Sequence, residues 1–365
     1  MSACIPMCIG WLIITYATDA SMILVGRAMC AAVSAISLPA AYTYVAEIAS
    51  TKNRGFLGSL MSVGWTFGLV LSYSLGSVLK WNWLALTSSV VSIVQFIVLS
   101  VATPSPRWLI TRGRVEEAKT ALTFFRGEMS KHVECELKDC EHQINEGNHA
   151  SFWQRIRMMV TSNGNRKAIA ISLGIYFFTV GTGFIVVNYH AKLLLVQAKV
   201  TSTMDANLGT IIIGLCQMGG NIVSAFIVDR VGRKTLLYVS SLFVSLSQAG
   251  LGTYFYFEMT LDHTEGVMEQ YRLVPLVMLL IFVVFLPIGW GSVTYILVPE
   301  LVPTTIRTET VILCNVWEQL LQFSVLRLHD SICSQFGPYH LHWGSAVLTL
   351  SLIHISEPTR RYAIS

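Results

Sequence analysis

Acidic and basic side chains recur in this sequence in pairs whose spacing would let ion pairs form between helices and break again. Such pairs are partly exposed and contribute roughly 0 to 1 kcal/mol each, so several of them suit a two-state equilibrium balanced within a few kcal/mol. Single Lys or Arg residues at helix ends need only anchor a helix in an interface. The paired charges therefore indicate a gate: Glu47 with Arg54, Asp229 with Arg233, and Glu300 with Arg307.

A second group of residues would act inside a membrane. Pro287, Gly289 and Gly291 fall together in an apolar stretch and would loosen a helix there, which is tolerated mainly where the helix lines a cavity. Glu318 also lies in an apolar stretch, where an ionisable group is a functional candidate unless it lies near a helix end and is solvated.

The elements that must position these residues are transmembrane helices. The chain has 365 residues, of which 53% are hydrophobic and 13% charged, whereas soluble domains carry about 25% charged residues. Uncharged apolar stretches of spanning length occupy residues 28 to 46, 55 to 79, 81 to 106, 168 to 189, 206 to 228, 235 to 257 and 273 to 299. Residues 4 to 18, 308 to 328 and 340 to 355 are weaker candidates.

Basic residues set the expected orientation. Threading the spans alternately places 17 of the 25 Lys and Arg in one set of loops, which the positive-inside rule makes cytoplasmic. We predict an all-α membrane protein with a partial N-terminal bundle (1–102), a cytoplasmic linker with short amphipathic helices (103–166), and a C-terminal bundle (167–352). Residues 353–365 change abruptly to a polar run and are predicted to be a non-native tail.

The two halves also predict a missing segment. Arg233, in the turn from Asp229 to Lys234, lies 67 residues before Glu300. In the first half, the same spacing before Glu47 would place the equivalent turn upstream of Met1. Parallel halves of this kind are the plan of one large transporter class. The alternative is a coincidence between two short motifs. If the repeat is real, two helices are absent at the amino end.

These features resemble the major facilitator superfamily, and within it the sugar porter family of glucose and trehalose carriers. The resemblance covers about residues 5 to 350. It rests on Gly26-Arg27, on Tyr44 and Glu47 followed by Arg54-Gly55, on Ser105-Pro-Arg107-Trp-Leu109, on the run from Asp229 to Leu237, and on Glu300 with Pro303 and Arg307. It implies that the third to eleventh helices and the start of the twelfth are present, in a two-bundle fold lacking the first two helices and most of the twelfth.

The family's substrate positions are altered in this chain. Its glutamine-rich run on the seventh span is Phe177-Phe-Thr-Val-Gly-Thr-Gly183 here, and its glutamic acid before Ser105-Pro-Arg107 is absent. Aromatic and amide groups still suit a neutral polyol. The resemblance implies these substrate-binding candidates: Ser62, Asn188, Gln217, Gly289, Gly291, Tyr295, Asn315 and Trp317. It adds Arg107 to the gate residues.

The predicted function is facilitated transport of a small neutral polar solute, a hexose or trehalose, through a plasma membrane. The alternatives are a non-transporting sugar sensor on the same scaffold and an inactive fragment of a carrier. Neither a phosphate loop nor a catalytic triad is recognisable, so we expect no enzyme, no cofactor and no nucleic-acid partner. We expect no metal, because the spacing of His132, Cys135, Cys140 and His142 fits no common zinc site. His190, His263 and His329 are each expected to lie singly at the surface near outer loops.

Overall fold

The computed structural model describes residues 3–49, 54–127, 133–135, 137–138, 140, 152–197, 205–261, 271 and 273–355. Within those residues every regular element is a helix, which confirms the predicted fold class. The α-helices in chain order are α1 (Cys4–Thr15), α2 (Ala20–Ile48), α3 (Arg54–Val78), α4 (Trp81–Val101), α5 (Pro106–Thr111), α6 (Val115–Arg126), α7 (Phe152–Thr161), α8 (Asn163–Gly181), α9 (Phe184–Gln197), α10 (Ala206–Val231), α11 (Arg233–Leu261), α12 (Val274–Leu286), α13 (Ser292–Leu301), α14 (Arg307–Phe336) and α15 (Pro338–Ile355). A π-helical turn, Pro287–Gly291, joins α12 to α13.

The long apolar helices have the length and the surface of membrane spans. Among the described residues, seven segments are long and apolar enough to cross a bilayer, and they coincide with the seven longest apolar stretches of the sequence. Their apolar side chains are largely exposed, as on α4, where Val91 is 63% and Val98 62% exposed. Helices satisfy their own backbone hydrogen bonds, so such surfaces are stable against lipid.

One predicted span is divided in the structure. The stretch 168–189 was predicted as a single helix, but α8 ends at Gly181 and α9 begins at Phe184. Gly183 between them has φ of 83°, a value that side chains with a Cβ rarely adopt. A Cβ there would also lie 2.6 Å from Nε2 of Gln248. The break therefore depends on a glycine in a left-handed conformation and on close packing.

The first compact unit comprises residues 1–58 and 74–151. In it α1 packs against α2 and α4. A Cβ built on Gly26 would lie 2.7 Å from the carbonyl oxygen of Gly10, so α1 and α2 approach to backbone contact. Small residues permit that approach between membrane helices. The predicted amphipathic helix is confirmed as α6, which buries Ala118 and Leu122 and ends at Gly127.

The second compact unit comprises residues 59–73 and 152–365. Here α11 packs against α12 and α15, around a core in which Leu251, Phe282 and Trp290 are at most 1% exposed. The indole Nε1 of Trp290 donates a hydrogen bond to Oγ of Ser241 at 3.1 Å, so the buried ring has its polar atom satisfied. The domain boundaries at residues 102 and 166 stay a prediction.

Candidate functional site

Glu47, the acidic member of the first predicted pair, is held at the end of α2 by the segment that enters α5. Oγ of Ser105 donates a hydrogen bond to the Glu47 carboxylate. Nearby, the Tyr44 hydroxyl donates to the carbonyl oxygen of Thr103 at 2.8 Å, and Arg126 donates to the carbonyl oxygen of Ile48 at 2.9 Å. The end of α2 is therefore tied to both α5 and α6.

The structure describes the side chains of only some of the predicted gate residues. The side chains of Arg54, Asp229, Arg233 and Glu300 lie outside them, so the three pairs stay predictions. Arg107 is exposed. Arg307 is half-buried, and its Nε is a buried nitrogen without a hydrogen-bond partner among the described side chains.

Sequence reasoning missed an ion pair close to Arg307. Nε of Arg155 on α7 lies 2.6 Å from Oε1 of Glu309 on α14, and the Glu309 side chain is only 11% exposed. The two residues are 154 positions apart, so no local spacing could have paired them. This contact joins the start of α14 to α7.

Three polar residues, which we call the α3–α10 polar cluster, meet inside the second unit: Thr66, Gln217 and Asn221. All three are at most 4% exposed. Nδ2 of Asn221 lies 3.5 Å from Oγ1 of Thr66 and donates to the carbonyl oxygen of Gln217 at 3.3 Å. Oε1 of Gln217 is buried and has no hydrogen-bond partner among the residues that the structure describes. A buried amide oxygen left in that state costs about 1–3 kcal/mol, so the cluster holds an acceptor ready for an outside donor.

Aromatic and polar contacts continue from this cluster along α3 to α9. The rings of Trp65 and Phe184 have centroids 5.7 Å apart. Half-buried Asn188 accepts a hydrogen bond at its carbonyl oxygen from the Tyr73 hydroxyl at 2.8 Å, and its own Nδ2 donates to the carbonyl oxygen of Phe184 at 3.0 Å. Asn188, predicted to bind the solute, therefore lies where α3 meets α9.

A second group of polar residues includes Glu318, the acidic residue inside the apolar stretch of α14. We call it the α13–α14 polar cluster, and its members are Tyr176, Tyr295, Asn315, Glu318 and Gln322. Oε1 of Glu318 accepts hydrogen bonds from the Tyr295 hydroxyl at 2.9 Å and from Nε2 of Gln322 at 3.1 Å. The Tyr176 hydroxyl donates to Oδ1 of Asn315 at 3.3 Å. Glu318 is 5% exposed, so it is buried and bonded, and the solvated alternative is wrong.

The remaining predicted substrate residues are more dispersed. Ser62 is half-buried on α3, and its carbonyl oxygen accepts from Thr66 at 3.0 Å. A Cβ on Gly289 would collide with Cβ of Ser240, so that glycine serves helix packing. Gly291 ends the π-helical turn, which confirms the predicted loosening of the helix. Trp317 is 37% exposed, on the side of α14 where Leu320 is 56% exposed.

Comparisons with known proteins agree with this architecture. The chain matches the family described as "Sugar (and other) transporter" over residues 1–355. It is 30% identical to the facilitated trehalose transporter Tret1 of Apis mellifera ligustica, over 94% of this chain and 66% of that protein. It is 29% identical to the Tret1 of Polypedilum vanderplanki, over 96% of this chain and 68% of that protein. The chain thus spans about two thirds of the length of these relatives, and 42% of the Anopheles gambiae Tret1.

Solved structures show the same fold at lower identity. The proton:xylose symporter XylE bound to 6-bromo-6-deoxy-D-glucose superposes with a TM-score of 0.75 at 19% identity, over 96% of this chain and 77% of that chain. XylE from E. coli in an inward open conformation gives a TM-score of 0.70 at 19% identity, over 98% and 77% of the two chains. At this identity the likeness shows the major facilitator fold alone.

Proposed function

Because the chain belongs to the sugar transporter family of the major facilitator superfamily, we propose that it carries a small neutral sugar across a membrane by facilitated alternating access. It is an integral membrane protein, and the proposed cargo is a hexose or trehalose. The relatives that match over most of this chain are named as facilitated trehalose transporters. The proposed location is the plasma membrane, with residues 103–166 in the cytoplasm.

The observation that supports the proposal most directly is the unpartnered oxygen of Gln217. A sugar presents many hydroxyl donors, and one of them would satisfy this acceptor, whereas an apolar solute would leave it unpaired. Asn221 and Thr66 add an amide and a hydroxyl beside it. The α3–α10 polar cluster is therefore the proposed centre of solute recognition, with Asn188 and Trp65 at its α9 side.

The α13–α14 polar cluster would supply further contacts. Tyr176 and Tyr295 face each other edge to face, with centroids 5.9 Å apart, and Asn315 lies one turn before Glu318 on α14. Aromatic faces with a few fixed amides are common in sites for uncharged ligands. In this proposal Glu318 acts as a positioning residue that fixes the hydroxyl of Tyr295, rather than as a proton carrier.

Alternating access would use contacts that form in one state and break in another. Two contacts that could act in this way are the bond between Ser105 and Glu47 and the pair between Arg155 and Glu309. We propose that they act together with the charge pairs predicted from the sequence. Partly exposed contacts of roughly 1 kcal/mol each would bias one state without locking it.

The test is uptake of radiolabelled trehalose and glucose into proteoliposomes, with and without an imposed proton gradient. Saturable uptake that is unchanged by the gradient supports a facilitator, and uptake that follows the gradient would instead indicate a proton symporter. Sugar binding without uptake would favour the sensor, and the absence of both would favour an inactive fragment. Either of the last two results rejects transport by this chain.

A further inference from the structure

Two histidines that were expected to lie singly meet at one end of the second unit. The rings of His190 on α9 and His329 on α14 stack with centroids 4.6 Å apart and planes inclined by 11°. His329 is 5% exposed and His190 is half-buried. The prediction of separate, solvated histidines is therefore wrong for both. His132, His142 and His263 lie outside the described residues.

Both ring nitrogens of His329 face groups that bind metals. Nδ1 lies 3.0 Å from Oδ1 of Asp330, and Nε2 lies 3.7 Å from Sγ of Cys333. One nitrogen of each histidine and one carboxylate oxygen of Asp330 lie within 4.8 Å of one another. The carboxylate is accessible, since the Asp330 side chain is 82% exposed.

The backbone at His190 is unusual for a residue inside a helix. His190 has φ of −111° and ψ of 15°, which interrupts α9 at this residue. Such bridge-region values occur sparsely and are found at many functional sites. The kink lies beside the carbonyl oxygen of Asn188, which accepts its hydrogen bond from Tyr73. The chain thus departs from helical geometry at the residue that contributes the second imidazole.

We propose that His190, His329 and Asp330 form a site for a divalent transition-metal ion of the zinc class. Imidazole nitrogen and carboxylate oxygen are ligands that Zn²⁺ accepts, at about 2.0–2.2 Å in a tetrahedral arrangement. Three protein ligands leave one position for water. The described atoms must approach by about 1 Å, and the nearly parallel rings require one imidazole to turn. His190 is the ring that turns, since it is the less buried of the two.

Cys333 has a supporting role in this site. Metal-binding histidines commonly donate the N–H of the second ring nitrogen to a neighbouring group. When Nδ1 of His329 binds the ion, Nε2 holds the ring proton and directs it to Sγ of Cys333. His329 and Cys333 also line a small cavity together with Gln248 and His342.

The test is equilibrium dialysis of the purified, untagged chain in detergent against Zn²⁺, independent of any transport activity. The expected result is one zinc per chain, with affinity reduced at least about tenfold in His190→Ala and in Asp330→Asn. His340→Ala is the matched control, since His340 is an exposed histidine on α15 bonded to the carbonyl oxygen of Phe336. Its affinity should equal that of the parent chain.

A second measurement separates binding from loss of fold. Zn²⁺ ties α9 to α14 and should raise the melting temperature of the parent chain and of His340→Ala, but not that of the two site variants. The site variants remain informative because both altered side chains are at least partly exposed and their helical content is measured by circular dichroism. No zinc on the parent chain, or unchanged affinity in both site variants, would overturn the proposal.

Discussion

Replacing Gln217 by Met removes the unpartnered amide oxygen while keeping a side chain of similar length. The structure predicts opposite effects on stability and on sugar binding. Within the described part of the chain this oxygen is buried and accepts no hydrogen bond, and that state costs about 1–3 kcal/mol. Even a net gain of about 1 kcal/mol in unfolding free energy would raise the melting temperature of a chain of this length by about 1 °C.

Sugar binding should weaken in the same variant. A hydrogen bond between neutral groups contributes about 0.5–1.5 kcal/mol, so its loss lowers affinity by about two- to tenfold. The assays are equilibrium binding of trehalose and glucose to the purified protein, uptake into proteoliposomes, and thermal unfolding in detergent. Together these assays show, on one preparation, whether stability rises and whether sugar binding and uptake fall.

Gln248 provides the control because both the nitrogen and the oxygen of its side-chain amide have hydrogen-bond partners. Nε2 donates to the carbonyl oxygen of Thr182 at 2.8 Å, and Oε1 lies 2.7 Å from Nδ1 of His342. Gln248→Met leaves those buried partners unpaired and should cost about 1–3 kcal/mol of stability. If Gln217→Met lowers the melting temperature and leaves sugar affinity unchanged, Gln217 is a packing residue and the argument for solute recognition fails.

Two further predictions concern packing and charge. Gly220→Ala should destabilise the protein by about 1–3 kcal/mol, since its Cβ would lie 2.5 Å from the carbonyl oxygen of Val284. A Cβ on the neighbouring Gly219 would meet no described atom within 4 Å, so Gly219→Ala should be neutral or stabilising. Equal melting temperatures of the two variants would contradict this. A double-mutant cycle with Arg155→Ala and Glu309→Ala should give a coupling of about 1 kcal/mol, at the upper end of the range for surface pairs, because the Glu309 side chain is only 11% exposed. If thermal or denaturant unfolding gives no coupling, the pair contributes nothing to stability.

The sequence predicted the parts of the fold that depend on local signals. Apolar stretches of spanning length gave the helices, because a segment must match the thickness of the bilayer wherever it lies in the chain. A glycine is a local signal of the same kind: Gly232 lies in the turn between α10 and α11 with φ of 87°, and only a residue without a Cβ adopts that conformation readily. Gly127, with φ of 81°, ends α6 for the same reason.

Local sequence signals predict much less of the candidate site. The family resemblance predicts that Gln217 binds the solute, but nothing in the sequence predicts its neighbours Thr66 and Asn221. A buried serine, threonine or asparagine in an apolar helix has no pattern that distinguishes a binding site from helix packing. Gly289 shows the same limit, since its proximity to Ser240 is visible only once α11 lies beside the π-helical turn. A spacing in sequence cannot give the separation of side chains on different helices.

The predicted gate residues show what the sequence determines and what only the tertiary structure determines. The sequence by itself determined a helical membrane protein and a set of charged residues at helix ends, since length, apolarity and charge are local properties. Only the tertiary structure decided that Glu47 accepts a hydrogen bond from Ser105, that Arg155 pairs with Glu309, and that His190 stacks on His329. Each of these contacts joins helices far apart in the chain, and helix packing alone brings them together.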